Sequence, residues 1–480
     1  MTKKEFDVTC TSLDDYFKGI VRVDNNTYFV NNLLPYEKGR ILTTYKYGKV
    51  DNVKLIERYN NSKDRVKPIC KYYPSCGGCQ IQHLSYEKQL VYKKEKVKNL
   101  IKKFASSDVK VEDTIKVENP LHFRNKIQMP IRKDKKNKII IGYYKENTHD
   151  LIDIENCLIE DERASKTVKT IKLLLNKYHY SIYDEDKNHG LFRHLLLKLS
   201  SAYNEGLLTF VVTDLNIKGR KEFAKEIVST LPIIKGVVFN LNNRHTNVIL
   251  GEKEEVIYGY SHIKDKIFDL DFLISSKSFY QTNSKQIETL YKTAIDLAKL
   301  NKNDVVLDAY CGTGTIGLSL ARNVKEIIGV ELVKEAILDA RKNANINNIK
   351  NATFINEDCS KYLTTCNKKY DVIFLDPPRK GSTIEFINSV FRIKPKKVIY
   401  ISCDPVTLAR DLNLFKKEYE IKKVIPVDMF PYSSHVETVC LLSKLHEAKH
   451  HVNVKLDMDE LDLTSAESKA TYEEIKKYVA

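Results

Sequence analysis

The sequence predicts a protein of the α/β class, in which a doubly wound parallel sheet follows a small β-barrel and a mixed α/β region. Three observations carry this prediction. Residues 1 to about 60 alternate short β-like runs with polar turns, as small barrels do. Strand-like and helix-like segments then mix up to about residue 274. From residue 303 onward, short apolar runs such as VVLDAY and YDVIFLDPP alternate with helical stretches, which is typical of a parallel sheet covered by helices.

The bulk composition limits the partners and the compartment. The 480 residues include 79 Lys and Arg against 63 Asp and Glu, and the resulting charge of +16 favours nucleic acid as the partner. No apolar run is long enough to span a membrane, and the N-terminus lacks the apolar core of a secretory signal. We therefore expect a cytoplasmic protein with reduced cysteines, no membrane partner and no evident obligate protein partner.

The predicted barrel comprises residues 1–62. A hairpin signal, Asn25-Asn26, lies between two of its β-like runs, and Asn60-Asn61-Ser62 is interpreted as a linker. Barrels of this kind bind single strands through basic residues and stacking aromatics. The candidates for stacking are three aromatic residues, of which at least one is expected in the core: Tyr28, Phe29 and Tyr36.

The central region is predicted to comprise residues 65–274. Its segment YEKQLVYKKEKVKNLIKKF has the apolar periodicity of a basic amphipathic helix. The apolar positions are Leu90, Val97, Leu100, Ile101 and Phe104. The lysines of this helix either line RNA or form a solvated face, and the sequence leaves both interpretations open. The following segment, residues 123–144, is interpreted as a strand, a charged turn and a strand, with Arg124 and Lys126 as candidate phosphate contacts.

A glycine-rich turn lies between a strand and a helix in VVLDAYCGTGTIGLSLA, residues 305–321. Gly312 and its neighbours allow a tight turn and close approach of a ligand, although such a run alone is a weak signal. Asp308 ends the strand before the turn, and Glu331 ends the next strand, where an acid can accept both ribose hydroxyls of a nucleoside cofactor. NAD also fits this arrangement. The whole motif resembles that of S-adenosylmethionine-dependent methyltransferases, which implies Asp358 beside the adenine.

The motif VIFLDPPRKG places Asp376 at the end of the fourth strand, at the sheet edge where α/β proteins bind ligands. A similar motif holds an exocyclic amine in amino-methyltransferases, but there an aromatic residue usually follows. Here an arginine follows, which argues against amine methylation without excluding it.

A cysteine and a glutamate complete the predicted catalytic set. Cys403 lies between the fifth strand and a helix beginning near Pro405, and a thiol at a helix N-terminus is expected to have a lowered pKa. A methyltransferase needs a nucleophile when the target atom is inert, as C5 of a pyrimidine is, and addition at C6 activates C5. A base must then remove the C5 proton. Glu437, in the strand-like HVETVCLL, is the candidate, with a pKa raised by burial.

Five segments together resemble the RNA 5-methyluridine methyltransferases: IYISCDPVTLARDL, SFYQTN, LDAYCGTGTIGL, DPPRKG and HVETV. The resemblance implies a Rossmann-like methyltransferase domain over residues 275–446, with Cys403 as nucleophile and Glu437 as base. It also implies contacts with S-adenosylmethionine, of which Gln281 and Tyr310 rest on the resemblance alone. The final residues, 447–480, are a tail of unknown role.

Four cysteines form a separate candidate set: Cys70, Cys76, Cys79 and Cys157. Four thiolates suit either zinc or an iron–sulfur cluster, and spacing alone does not decide between them. The similar family branch, the 23S ribosomal RNA uridine methyltransferases, implies a [4Fe–4S] cluster here and an N-terminal TRAM domain, an OB-like barrel. We therefore expect C5 methylation of uridine in 23S ribosomal RNA. Transfer RNA as substrate, amine methylation and a non-catalytic RNA-binding factor are the alternatives.

Overall fold

The computed structural model of the chain describes residues 2–47, 49–146, 148–245 and 248–445. Nearly all of these belong to one compact unit, Met1–Lys444. The predicted tail, residues 447–480, lies outside the described residues, and the predicted domain boundaries stay predictions. Within the described ranges, no helix is long and apolar enough to cross a bilayer.

The N-terminal region consists of short antiparallel strands, as predicted. They form two three-stranded sheets, ordered β1-β5-β6 and β2-β3-β4. The strands are β1 (Thr2–Thr9), β2 (Ser12–Leu13), β3 (Gly19–Val23), β4 (Asn26–Val30), β5 (Lys38–Lys46) and β6 (Lys49–Arg58). The predicted hairpin joins β3 and β4, but its turn residues are Asp24 and Asn25, both with positive φ, one residue earlier than expected.

The three aromatic candidates of the barrel separate by exposure. Tyr28 is buried in the barrel core, as expected for at least one of them, whereas Phe29 and Tyr36 are exposed. The predicted linker is fixed to the barrel. Ser62 donates its backbone N–H to the fully buried Glu37, which also accepts a hydrogen bond of 2.5 Å from Arg65.

The central region contains one long helix and a mixed sheet. The sheet has seven strands in the order β13-β12-β11-β10-β7-β8-β9, and β14 and β15 form a separate hairpin. The elements are α1 (Tyr86–Ala105), β7 (Lys126–Lys133), β8 (Ile139–Tyr144), β9 (Leu151–Asp153), α2 (Glu162–Lys177), β10 (Phe192–Leu199), β11 (Gly206–Val212), α3 (Arg220–Thr230), β12 (Ile234–Leu241), β13 (Lys253–Gly259), β14 (His262–Ile267) and β15 (Leu270–Ser275). The strands β7 and β8 agree with the strand–turn–strand prediction.

Helix α1 differs from the prediction on both of its faces. Of the predicted apolar positions, Val97, Leu100 and Ile101 are buried and Leu90 is half-buried, but Phe104 is 41% exposed, so the buried face does not extend to it. Lys93 is fully buried and pairs with Asp428 at 2.6 Å. Lys93 therefore neither lines a solvent-facing RNA surface nor belongs to a solvated face.

The C-terminal region alternates strands and helices around a seven-stranded sheet of order β18-β17-β16-β19-β20-β22-β21. Its elements are α4 (Ser284–Ala298), β16 (Val305–Ala309), α5 (Thr315–Leu320), β17 (Glu326–Glu331), α6 (Lys334–Ile346), β18 (Ala352–Asn356), α7 (Cys359–Thr365), β19 (Val372–Leu375), α8 (Ile384–Ile393), β20 (Lys397–Ser402), α9 (Pro405–Phe415), β21 (Tyr419–Val427) and β22 (Glu437–Lys444). Apolar clusters cover both faces of the sheet, which is why its strands are apolar throughout.

The direction of β22 determines the position of the site. Five neighbouring strands of the sheet, in the order β18-β17-β16-β19-β20, run parallel. In contrast, β22 is antiparallel to both β20 and β21. Ser402, the last residue of β20, pairs with Thr438, the second residue of β22. An antiparallel strand begins where its parallel neighbour ends, so the start of β22 lies at the ligand-binding edge of the sheet.

Candidate active site

One large cleft lies along the edge where the parallel strands end. The residues predicted for catalysis and cofactor binding all line this cleft: Gln281, Tyr310, Gly312, Glu331, Asp358, Asp376, Cys403 and Glu437. They come from the loops that follow β15, β16, β18, β19 and β20, from the last residue of β17, and from the first residue of β22. Residues that are far apart in the sequence are therefore brought together by the order of the strands.

Glu331 lies in the part of the cleft where cofactor binding is predicted, together with Tyr310, Gly312 and Asp358; we call this part the cofactor half. Two backbone N–H groups hold the Glu331 carboxylate. Its Oε2 accepts a hydrogen bond from the Gly312 N–H at 3.2 Å, and its Oε1 accepts one from the Val333 N–H at 2.9 Å. Each carboxylate oxygen keeps a further lone pair for a hydroxyl. Gly312 has a φ of +54°, and a Cβ added there would meet no described atom within 4 Å. Open space above a glycine beside an anchored carboxylate fits a nucleoside ribose.

Three further residues border the cofactor half. Tyr310 has a φ of 62° and donates its N–H to Cys359 Sγ at 3.2 Å. Asp358 caps α7, because its Oδ1 accepts the N–H groups of Ser360 and Lys361. The Gln281 carbonyl accepts a hydrogen bond from Asn125 Nδ2 at 3.1 Å, which connects this segment to the central region.

Asp308 has a structural place rather than a position in the cleft lining. It is fully buried, and its Oδ2 accepts the Gly317 N–H at 2.8 Å, which fixes the start of α5. Burial raises its pKa to about 7. A Cβ at position 317 would lie 2.8 Å from the same oxygen, so glycine is required there by this contact.

Cys403 follows β20 and lies next to the N-terminus of α9, as predicted, but the expected fall in its pKa was wrong. Burial, followed by the charges of Glu437 and Asp376, raises the pKa of Cys403 to about 12. The N-terminus of α9 is capped by another residue, because the Asp404 carboxylate accepts the Val406 N–H at 2.9 Å. Arg379 is the cation that acts in the opposite direction on the thiol.

Glu437 is buried at the start of β22. Its Oε2 has no hydrogen-bond partner in the part of the chain that the structure describes. Burial and the charge of Asp376 raise its pKa to about 8, which confirms the predicted direction. Burial also raises the pKa of Asp376 to about 7. The half of the cleft around Cys403 therefore contains acids that hold their protons near neutral pH.

The sequence did not identify several residues that line the same cleft. Arg379 directly follows the D-P-P motif and was used only as an argument against amine methylation. Phe279 lies two residues before Gln281 and is exposed, and Phe430 and His435 come from the loop before Glu437. An aromatic residue two positions before a predicted contact was the available signal in the sequence for Phe279.

The four cysteines of the second set line one small cavity. Cys70, Cys76 and Cys79 come from the segment before α1, and Cys157 follows β9. Among the described residues, no group of three or more His, Cys, Asp or Glu side chains is arranged to hold a single metal ion. The donors therefore converge around a cavity without forming the close cage of one ion.

The two candidate phosphate contacts lie beside these sites. Arg124 lines both the cleft and the cysteine cavity, and its Nε is buried without a partner in the described chain. Burial and the neighbouring Arg124 lower the pKa of Lys126. Contact of either residue with RNA stays a prediction.

Comparison with known proteins decides the family. The profile of the tRNA (uracil-5-)-methyltransferases matches residues 85–445. The chain belongs to this family. Membership confirms the resemblance to RNA 5-methyluridine methyltransferases, whose reaction is methylation of uracil C5 in RNA with S-adenosylmethionine as methyl donor.

Relatives and solved structures of this family cover nearly the whole chain. An uncharacterized RNA methyltransferase of Staphylococcus aureus (strain MSSA476) is 39% identical over 88% of this chain and 95% of its own length. One from Staphylococcus epidermidis is 39% identical over 89% and 95%. The structure of Pyrococcus abyssi tRNA (uracil-54, C5)-methyltransferase with S-adenosyl-L-homocysteine has a TM-score of 0.75 and 26% identity, covering 91% of this chain and 99% of its own.

Proposed function

We propose that this methyltransferase modifies uridine in 23S ribosomal RNA by covalent catalysis, with Cys403 as nucleophile and Glu437 as base. The observation that carries the proposal is that a half-buried thiol and a buried carboxyl, whose Oε2 has no hydrogen-bond partner among the described residues, line the same part of the cleft. Cys403 follows the last residue of β20, and Glu437 begins the neighbouring strand β22. Adjacent rigid strands hold reacting groups with little freedom, as catalysis by proximity requires.

The first step is addition of the Cys403 sulfur to C6 of the uracil. The S–C6 bond forms, and the electrons of the C5–C6 double bond move toward the C4 carbonyl, so that C5 becomes nucleophilic. Because the pKa of Cys403 is raised to about 12, the thiolate needs a compensating cation. Arg379, which lowers that pKa, is the residue that stabilises it.

S-adenosylmethionine supplies the methyl group that C5 acquires. Glu331, Gly312, Tyr310 and Asp358 would hold its nucleoside, and Gln281 and Asp376 border the path to the uracil.

Glu437 in its ionised form then removes the C5 proton, the S–C6 bond breaks, and the thiolate of Cys403 is restored. A pKa of about 8 makes Glu437 a stronger base than an exposed carboxylate.

The substrate proposal rests on the cysteine set and the barrel, which the 23S branch of the family combines. The chain's charge of +16 is consistent with a large polyanionic substrate. The target uridine must leave its stack to expose C6 to Cys403. Transfer RNA is the second candidate, because the Pyrococcus abyssi enzyme that acts on it aligns with 91% of this chain.

We also propose a [4Fe–4S] cluster at Cys70, Cys76, Cys79 and Cys157, with a structural role. Four thiols are the usual ligands of such clusters and of zinc. A tetrahedral zinc site requires sulfurs roughly 4 Å apart, as follows from its Zn–S distance. The four cysteines line one cavity, and the choice of the cluster over zinc rests on the resemblance to the 23S ribosomal RNA branch of the family. Anaerobic purification should yield about four iron atoms per chain, and stoichiometric zinc would contradict the cluster.

The test of the reaction uses RNA tritiated at uridine C5 together with methyl-labelled S-adenosylmethionine. 23S ribosomal RNA and transfer RNA are assayed in parallel with anaerobically purified protein. Methylation of 23S RNA with equal release of tritium into water is the expected result. Tritium release from transfer RNA alone would change the substrate, whereas methylation without tritium release would reject C5 chemistry altogether.

A further inference from the structure

A single loop supplies several lining residues of the part of the cleft around Cys403 and Glu437, which we call the uracil half because we propose that the target base binds there. Residues 428–436 connect β21 to β22, and the loop ends at Glu437. Phe430, Pro431, Ser433 and His435 of this loop line the cleft. The position of the proposed base therefore depends on how this loop is held.

One face of α1 binds the backbone of this loop at three successive points. Lys93 Nζ donates to the Phe430 carbonyl at 3.0 Å. Gln89 Oε1 accepts the Tyr432 N–H at 3.0 Å, and Lys96 Nζ donates to the Ser434 carbonyl at 3.0 Å. Residues 89, 93 and 96 share one face of a helix because they are four and three positions apart. Their partners alternate along the loop at residues 430, 432 and 434.

A buried ion pair anchors the beginning of the loop to the same face. Lys93 and Asp428 are both fully buried and lie 2.6 Å apart. Tyr86, two turns before Lys93 on α1, donates to the other Asp428 oxygen at 2.9 Å. Removing one partner of such a pair leaves an uncompensated buried charge, so the pair specifies one arrangement of the loop. A lysine committed to this pair is not available to an RNA phosphate.

The loop is also held by residues outside α1. The Tyr432 carbonyl accepts the N–H groups of Gln80 and Ile81 at 2.9 and 3.1 Å. Asn283 Nδ2 donates to the Met429 carbonyl at 3.1 Å. The loop is thus tied at several backbone groups between Asp428 and Glu437, and its geometry is set by side chains of other elements.

We propose that Gln89, Lys93 and Lys96 are positioning residues, which hold residues 428–436 so that Glu437 reaches the C5 proton, and that they do not bind RNA. The proposal rests on the assignment of Glu437 as the base. Because Cys403 lies between β20 and α9 and not on this loop, we expect displacement of the loop to leave C6 addition in place. Slower proton removal then makes the methylated RNA–Cys403 adduct accumulate.

The experiment compares variants of the full-length protein on the RNA that the wild-type enzyme methylates. Lys96→Met removes one donor to the loop, and Lys96→Arg restores a donor. The double variant Lys93→Met/Asp428→Asn removes the buried pair without leaving one charge behind. Lys98→Met is the matched control, because Lys98 is exposed on the other side of α1 and pairs only weakly with Glu95 at 3.6 Å.

Three readouts separate positioning from RNA binding. They are steady-state turnover, the fraction of protein in a denaturant-resistant RNA adduct, and RNA affinity at several salt concentrations. For Lys96→Met we expect turnover to fall about tenfold or more, since a misplacement of about 1 Å costs up to roughly 10²-fold. We also expect adduct accumulation, unchanged RNA affinity, and partial recovery in Lys96→Arg. Lys98→Met should match the wild type in turnover and adduct level.

Two results would overturn the proposal. In the first, Lys96→Met binds RNA more weakly, with a salt slope reduced by about one, while turnover at saturating RNA is unchanged. In the second, Lys96→Met and the double variant behave as the wild type does. If the double variant fails to fold, Lys96→Met alone decides. Methylation by the wild type without tritium release would instead reject Glu437 as the base, whatever the variants do.

Discussion

Each half of the cleft contains a glutamate, but the surroundings of the two carboxyl groups are opposite. Each carboxylate oxygen of Glu331, in the cofactor half, accepts a hydrogen bond from a backbone N–H, one from Gly312 and one from Val333. Glu437, in the uracil half, is buried with an unpartnered oxygen and a pKa raised to about 8. Hydrogen bonds to the ionised form make a carboxylate a stable acceptor for hydroxyls, whereas burial without them makes it a base. The surroundings, rather than the residue type, therefore distinguish the proposed binding role of Glu331 from the proposed catalytic role of Glu437.

The largest effect is expected from removal of the nucleophile. Cys403→Ala should lower turnover by more than about 10⁴-fold, because it removes the covalent route that activates C5. It should also abolish both tritium release and the RNA adduct, while binding of S-adenosylmethionine is retained. Cys366→Ala, a change of a half-buried cysteine outside the cleft lining, is the control. Substantial methylation by Cys403→Ala would return attention to amine methylation through the D-P-P-R motif.

Removing the base should give a smaller loss with a distinct signature. Glu437→Gln should lower turnover by about 10²–10⁴-fold, the usual contribution of a general base. Addition and methyl transfer remain possible in this variant, so the methylated adduct should be trapped on Cys403. Gel electrophoresis under denaturing conditions with labelled RNA detects this species. Loss of turnover without any adduct would assign Glu437 a role before methyl transfer.

The corresponding change in the cofactor half should affect binding instead. Glu331→Gln should raise the KM for S-adenosylmethionine by roughly 10–100-fold, since a hydrogen bond to a charged group contributes about 1.5–3 kcal/mol. The kcat should change little, because Glu331 is not among the reacting groups. Steady-state kinetics at varied S-adenosylmethionine measures both constants. A fall in kcat at an unchanged KM would break the division between the two halves.

The smallest effect concerns stability and pH. The pKa of Glu437 is raised from 4.5 to about 8, so its protonated form is favoured by folding. This contribution is fully present below about pH 4.5 and is lost as the pH rises through about 8. Each 1 kcal/mol lost should lower the Tm by roughly 1 °C in a unit of this size. The Tm, measured by thermal unfolding between pH 5 and 8.5, should therefore fall less steeply with pH in Glu437→Gln than in the wild type. Equal slopes of Tm against pH would mean that Glu437 does not titrate in this range.

Much of the fold followed from local patterns in the sequence. Apolar runs that end in Asp308, Glu331 and Asp376 predicted the strands because buried parallel strands need apolar side chains on both faces. Turns were less exact: the hairpin turn consists of Asp24 and Asn25 rather than Asn25 and Asn26. Either pair can adopt positive φ, and only the register of β3 and β4 decides between them.

The sequence predicted which residues form the candidate site, but it did not predict their burial or all of their pKa shifts. Cys403 was expected to be acidic because of a helix terminus, yet burial and two carboxyl groups outweigh that effect. Lys93 was assigned to an exposed face because its partner, Asp428, is in no way indicated by the local sequence. Local rules describe elements well, but the pKa and burial of a side chain depend on groups that meet only in the folded chain.

The pairing of Lys93 with Asp428 also has a consequence for synthesis of the chain. The two residues are separated by 335 positions. At about 5–20 residues per second, a ribosome needs roughly 17–70 s to reach Asp428 after Lys93. Throughout that interval α1 lacks its buried partner, and Glu437 does not yet exist. If Glu437 is the base, as we propose, the nascent chain has no catalytic competence before Glu437 has been synthesised.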